Sequence, residues 1–129
     1  MTFSPETGWT DISDAVFFHA ERRPDAVAVI EGGERVVYGD LAGLVAAATH
    51  YVDDLGVTPR EVVAVMMPGT IDHLVLTLAL IRAGAVPLDL PMPQPGQRAM
   101  LPLDQIGIRR AFVAAGAAPP AAATVHIIG

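Results

Sequence analysis

The sequence predicts an α/β fold: a partial, mostly parallel Rossmann-like sheet with helices on both faces, preceded by a helix and a β-hairpin. Three observations lead there. From Asp40 onward, helical and β-rich segments alternate along the chain. The run Val62-Val63-Ala64-Val65-Met66-Met67 is apolar without alternation, as in a strand covered on both faces. Before it, two short β-rich runs flank Gly32-Gly33, the pattern of a hairpin. Strand–helix–strand alternation favours parallel pairing through right-handed crossovers.

Each element has a local reason. Residues 11–22 read as a first helix, with Asp11 as its cap, Ile12, Ala15, Val16 and His19 on one face, and Pro24 beyond its end. Residues 26–30 and 35–38 form the hairpin. Asp40 opens a second helix whose apolar stripe is Leu41, Leu44, Val45, Ala48, Val52 and Leu55; Gly56 stops it. Residues 61–67 are a strand, broken by Pro68-Gly69. Thr70 caps a third helix running to Ala83. Its apolar residues cover most of its circumference, which belongs inside something larger. Residues 85–90 are a further strand despite Pro87, residues 91–96 a rigid loop, and residues 97–106 a short helix interrupted by Pro102. Residues 110–114 and 124–128 are the last strands, joined by an Ala/Pro-rich linker within 114–123. One domain is expected over residues 11–129, after an N-terminal tail of residues 1–10.

Composition narrows the functions. The 129 residues are 52% hydrophobic, ample for a core and more than a small domain easily hides. An apolar face that needs a partner is expected, with Leu74, Leu78 and Ile81 of the third helix as its residues. The net charge is −6 and no basic cluster exists beyond Arg22-Arg23 and Arg109-Arg110, each read as a solvated helix end or strand edge. A nucleic-acid footprint is absent. The chain has no cysteine, which excludes disulfides and thiolate chemistry, and no lysine, which excludes lysine-amine mechanisms. The N-terminus has no signal-peptide pattern, and the longest apolar stretch, residues 74–81, is too short to span a bilayer. A soluble, cytoplasmic protein is expected.

Candidate chemistry is sparse. Pro68-Gly69-Thr70 lies between a strand and a helix, where a helix N-terminus could hold an anion, but no phosphate-loop pattern accompanies it. A plain strand-to-helix turn is the preferred reading. His19, His50, His73 and His126 lack the spacing of a helical metal pair and read as surface or helix-flank residues. Asp53-Asp54 reads as a solvated turn. Asp89 ends an apolar run, either facing a cleft or capping a loop, the latter preferred. Ser4 and Ser13 have no nucleophile-elbow context. No catalytic, cofactor-binding or metal residue is assigned.

Residues 23–30, 37–41, 55–65 and 81–88, in that order, resemble segments of the adenylate-forming superfamily of acyl-CoA synthetases, nonribosomal peptide adenylation domains and luciferase-like enzymes. Arg23-Pro24-Asp25-Ala26-Val27-Ala28-Val29-Ile30 is similar to that family's hPDAvAli, and Val37-Tyr38-Gly39-Asp40-Leu41 to its (T/S)YxEL. Residues 55–65 resemble LGVxpGDxVAv, and residues 81–88 resemble lkAGAvyvPl. Arg98 and residues 100–104 stand where ERlaymLeDs usually does. Two departures stand out: Pro68-Gly69 replaces Pro-Asn, and Arg60-Glu61 replaces Gly-Asp.

The resemblance implies an acid–thiol ligase that forms an acyl-adenylate from ATP and passes the acyl group to coenzyme A or a carrier pantetheine, with Mg. It also implies that this segment is scaffold from the family's N-terminal domain, without the phosphate loop or catalytic lysine. The chain alone is then expected to be inactive, to bind no cofactor and to pack against the rest of the ligase or a self-copy. The alternative is a stand-alone noncatalytic interaction or regulatory protein of the same fold, a dimer or a trans partner of a split enzyme. A third reading, a small nucleotide-binding module using Pro68-Gly69-Thr70, ranks below both.

Overall fold

A computed structural model of the chain describes residues 9–92, 102–116 and 124–128. The elements are α1 (Ser13–Arg22), β1 (Val27–Glu31), β2 (Glu34–Val37), α2 (Tyr38–Asp54), β3 (Val62–Met66), α3 (Ile71–Arg82), β4 (Val86–Asp89), a 3-10 turn (Leu103–Ile106), β5 (Arg110–Ala114) and β6 (Thr124–Ile128). Residues 1–8 of the expected tail, Ser4 among them, the loop from 93 and the helix up to 101 lie outside the described residues, as does most of the Ala/Pro-rich linker.

β1 and β2 pair antiparallel, with a register shift between Val27 and Val29. The other strands form one parallel sheet in the order β4-β3-β5-β6. The chain lays β3 first, crosses through α3 to β4 on one side, then places β5 on the other. Strand order therefore reverses between β3 and β5, the place where doubly wound sheets open a crevice. Pro87 is tolerated because β4 is an edge strand. The Val86 and Leu90 amides donate to Glu61 and Val65 oxygens of β3 or its flank (2.8 and 2.9 Å), so the missing amide of Pro87 lies on the open side.

α3 explains its own composition. Leu76 and Leu80 pack onto Val63, Val65 and Phe112 of the sheet, with Val52 of α2. Ile71 and Leu78 point the other way, into a cluster with Val16 of α1, Val36 of β2 and Leu41 and Val45 of α2. The helix is apolar nearly all round because it lies between two cores of its own chain. The far face of the sheet, Ala64, Met66, Ala111 and Val113, is covered by Leu103 of the 3-10 turn and by Ile108. Helical cover thus lies on both faces, two α-helices on one and a 3-10 turn on the other.

Several local expectations shift. Asp11 does not cap α1 as its N-cap residue: the helix begins at Ser13, Ile12 precedes it, and the Asp11 carboxylate accepts from the Ser13 amide (2.7 Å) and hydroxyl. Ile12 is half exposed, whereas Ser13 is fully buried, because its hydroxyl is held by Asp11 and by Arg82 of α3. Asp14 joins this knot. Its carboxyl is held below the usual carboxylate range, first by the Thr10 amide, with Arg82 at 3.1 Å contributing and burial opposing. The Arg82 guanidinium also lies 4.0 Å from the centre of the Phe17 ring, fastening α1 to α3. α2 begins at Tyr38, not Asp40, and Leu44 of its expected stripe faces solvent, its place in the core taken by Ala42.

Candidate functional site

At the carboxyl ends of the strands, Met67-Pro68 after β3, Ala114-Ala115 after β5 and Ile128 of β6 line a crevice of 550 Å³. Thr70 closes it at the start of α3. As the sequence predicts, Thr70 is the N-cap, its Oγ1 accepting from the His73 amide at 3.3 Å. The hairpin forms the opposite wall through Glu31 and Glu34. The Glu31 carboxylate reaches the first turn of α3 and accepts from the Ile71 amide at 3.2 Å. A carboxylate is what the positive end of a helix favours.

That contact decides what Pro68-Gly69-Thr70 does. Thr70 and Glu31 each satisfy an amide of the first turn, and the crevice wall adds Glu34 and Asp72 with no basic side chain among the described residues. Three carboxylates do not fit a triphosphate. Among the described residues, no group of three or more His, Asp or Glu side chains is placed to hold a metal ion.

The amino ends of the strands hold a second arrangement. Arg110 is not a solvated strand-edge residue as the sequence suggested, its side chain being only 15% exposed. Its Nε donates to Glu61 Oε2 at 3.0 Å, and its Nη1 donates to the Leu55 carbonyl, also at 3.0 Å. The same Nη1 lies 3.2 Å from His126 Nε2. Arginine only donates, so this Nε2 is the unprotonated acceptor of a neutral ring. The His126 ring also stacks on Phe112, centroids 4.8 Å apart. Burial, then the Arg110 charge, pull the His126 pKa down, against a smaller opposing effect of Glu61. Glu61 Oε1 accepts from the Thr58 amide at 3.1 Å. The cluster ties the end of α2 to β3, β5 and β6, and a cavity of 790 Å³ opens beside it.

His126 is a half-buried strand residue, not a surface or helix-flank one. His73 bonds Asp89 across α3 and β4, Nε2 to Oδ1 at 2.9 Å, so Asp89 neither caps a loop nor stands free. His50 lies 3.4 Å from Asp54 at the exposed end of α2, and Asp53 is exposed beside it. His19 packs on Tyr38, centroids 5.0 Å apart. Leu78, expected to face a partner, is 7% exposed and covered by this chain's own α1, α2 and hairpin, because α3 is sandwiched. Leu74 packs at the edge of the same cluster and Ile81 is half-buried. Sequence reading missed Glu31, Glu61 and the Arg110–His126 contact. Their partners lie 40, 49 and 16 residues away, beyond the reach of local patterning.

A parallel sheet with a switch-point crevice and a leading helix and hairpin defines a doubly wound α/β class. Within it, the chain belongs to the AMP-binding enzyme family, whose pattern it matches over residues 16–127. It is 37% identical over 109 residues to a phenyloxazoline synthase of Mycobacterium sp. (strain MCS), covering 84% of this chain and 9% of that one. It is 36% identical over 77 residues to a 4-chlorobenzoate–CoA ligase of Arthrobacter sp., covering 58% of this chain and 15% of the ligase. The fold resembles the N-terminal subdomain of NpsA from Klebsiella oxytoca, with a TM-score of 0.73 at 19% identity over 92% of this chain and 31% of the other. The N-terminal domain of FACL13 from Mycobacterium tuberculosis gives 0.75 at 18% identity, over 93% and 34%. The chain thus spans between 9% and 34% of the length of these proteins it resembles. Among the described residues, no helix is long and apolar enough to cross a membrane.

Proposed function

We propose that this chain is the N-terminal scaffold segment of an ATP-dependent acid–thiol ligase that forms an acyl-adenylate and then a thioester. The observation that carries the reading is a crevice in the family's fold that lacks the family's chemistry. The crevice at the ends of β3 and β5 is formed, yet among the described residues it presents Glu31, Glu34 and Asp72 and no basic side chain. The chain also contains no lysine to stabilise charge on a phosphate. ATP, Mg and coenzyme A or a carrier pantetheine then belong to other parts of the complete enzyme, and the segment alone is inactive. A cytoplasmic location follows with ATP as the co-substrate.

The partner in this reading is the remainder of the ligase body. Apolar surface at both margins of the sheet supports it: Val86 and Leu88 on β4 are 49% and 37% exposed, and Ile127 on β6 is 57% exposed. Leu74 and Ile81, half-buried on α3, remain candidates for a partner contact.

The test is ATP–pyrophosphate exchange with a panel of carboxylic acids. The isolated chain is expected to show none above a heat-treated control. Exchange above that control would overturn the reading. A chimaera in which this chain replaces the matching segment of the 4-chlorobenzoate–CoA ligase is expected to retain exchange with that ligase's acid. A folded chimaera without exchange counts against a scaffold role and favours the stand-alone interaction protein.

A further inference from the structure

We propose that the 790 Å³ cavity at the amino ends of β3, β5 and β6 is an anion-binding site that takes a small phosphate-bearing molecule. Thr58-Pro59-Arg60-Glu61 is closed by a hydrogen bond from the Glu61 amide to the Thr58 carbonyl at 3.1 Å. Proline at the second position and a positive φ at the third are the marks of a type II turn, whose third residue is ordinarily glycine. Here that residue is Arg60, at φ 69°, and among the described residues it is the one non-glycine in the left-handed region. A side chain there costs conformational energy that glycine would not. The Arg60 side chain is exposed and lines the cavity.

A second observation points the same way. Arg109 is also exposed and lines the same cavity, on the strand side, and neither arginine has an acidic partner among the described residues. Arg110 differs, being held by Glu61 as a fixed part of the wall. Thr58 and Thr124 complete the lining with hydroxyls. The cavity therefore gathers three arginines against the single carboxylate of Glu61, in a chain whose net charge is −6. Guanidinium forks match phosphate oxygens two at a time. The volume falls in the range of small-molecule pockets, about 300–1,000 Å³. A compact phosphate ester is favoured over an acidic peptide because the basic groups line one concavity and do not run along a surface stripe. The site lies at the opposite end of the strands from the crevice and does not depend on the ligase reading.

The experiment is a titration of the full chain with inorganic phosphate at fixed ionic strength, read by backbone amide shifts in NMR, with chloride as the blank. The expected result is saturable shifts confined to residues 58–61 and 107–110. Arg60→Gly and Arg109→Gln should each weaken the affinity about tenfold, the loss of one charge-assisted contact. Arg35→Gln removes the same charge from the hairpin, away from the cavity, and should change nothing. Arg60→Gly should also keep or raise the melting temperature, since glycine suits the turn, so lost binding cannot be ascribed to lost folding. The proposal is overturned if shifts match those in chloride, if they scatter over the surface, or if both cavity variants bind phosphate as the parent does. Tighter binding of hexaglutamate than of phosphate would overturn the ligand class.

Discussion

The Glu31 carboxylate accepts a hydrogen bond from the Ile71 amide, 40 residues away in the chain, at 3.2 Å. It fastens the hairpin to the first turn of α3 at the mouth of the crevice, and it places the chain's own anion where a helix would otherwise attract a bound one. Glu31→Ala is expected to destabilise the fold by about 0.5–1 kcal/mol, with Glu31→Gln intermediate because it keeps an acceptor without the charge. Urea unfolding measures both. Equal stability of all three proteins would mean the contact is incidental.

Arg110 and Glu61 should be the costliest polar pair to break. Their side chains are 15% and 21% exposed, and Arg110 also serves the Leu55 carbonyl and His126. Arg110→Ala leaves Glu61 half-buried without its counter-charge. A loss of about 2 kcal/mol is expected, below the figure for a fully buried pair because water still reaches the site. Chemical denaturation checks this, and a loss under 0.5 kcal/mol would place the pair among ordinary surface ion pairs.

His126 makes stability depend on pH in a definite direction. Its folded pKa is depressed, first by burial and then by Arg110, so the unfolded chain binds its proton more readily. Stability is therefore whole above the ordinary histidine range, near pH 6.5, and falls as pH drops through it toward the folded value. His126→Gln should flatten the unfolding free energy between about pH 7 and pH 5 relative to the parent. A parent slope that survives the substitution would assign it to other groups.

Thr77 offers a gain. Its hydroxyl is buried in α3 with no hydrogen-bond partner among the described residues. Thr77→Val keeps the branched shape and removes the unsatisfied group, so thermal unfolding should show a stabilisation of about 1 kcal/mol. A destabilised variant would show that the hydroxyl has a water partner.

The order and type of the elements were legible in the sequence because their causes are local. Apolar period, the Gly32-Gly33 turn and the Thr70 cap act within a few residues, and the unbroken apolar run of β3 announces cover on both faces. The AMP-binding family, too, was readable from short motifs in order. The ends of α1 and α2 were misplaced by one or two residues because Asp11 bonds Ser13 without becoming the cap residue, and because α2 absorbs Tyr38 and Gly39. Tertiary structure alone decided which faces are spent. Leu78 looked like partner surface until α1, α2 and the hairpin closed over it. It also decided that Glu31 fills the end of α3, and that Arg110 and His126 meet inside the amino edge while Arg60 and Arg109 stay open to the cavity. Those outcomes depend on which strand lies beside which, and strand order brings together side chains that no short stretch of sequence relates.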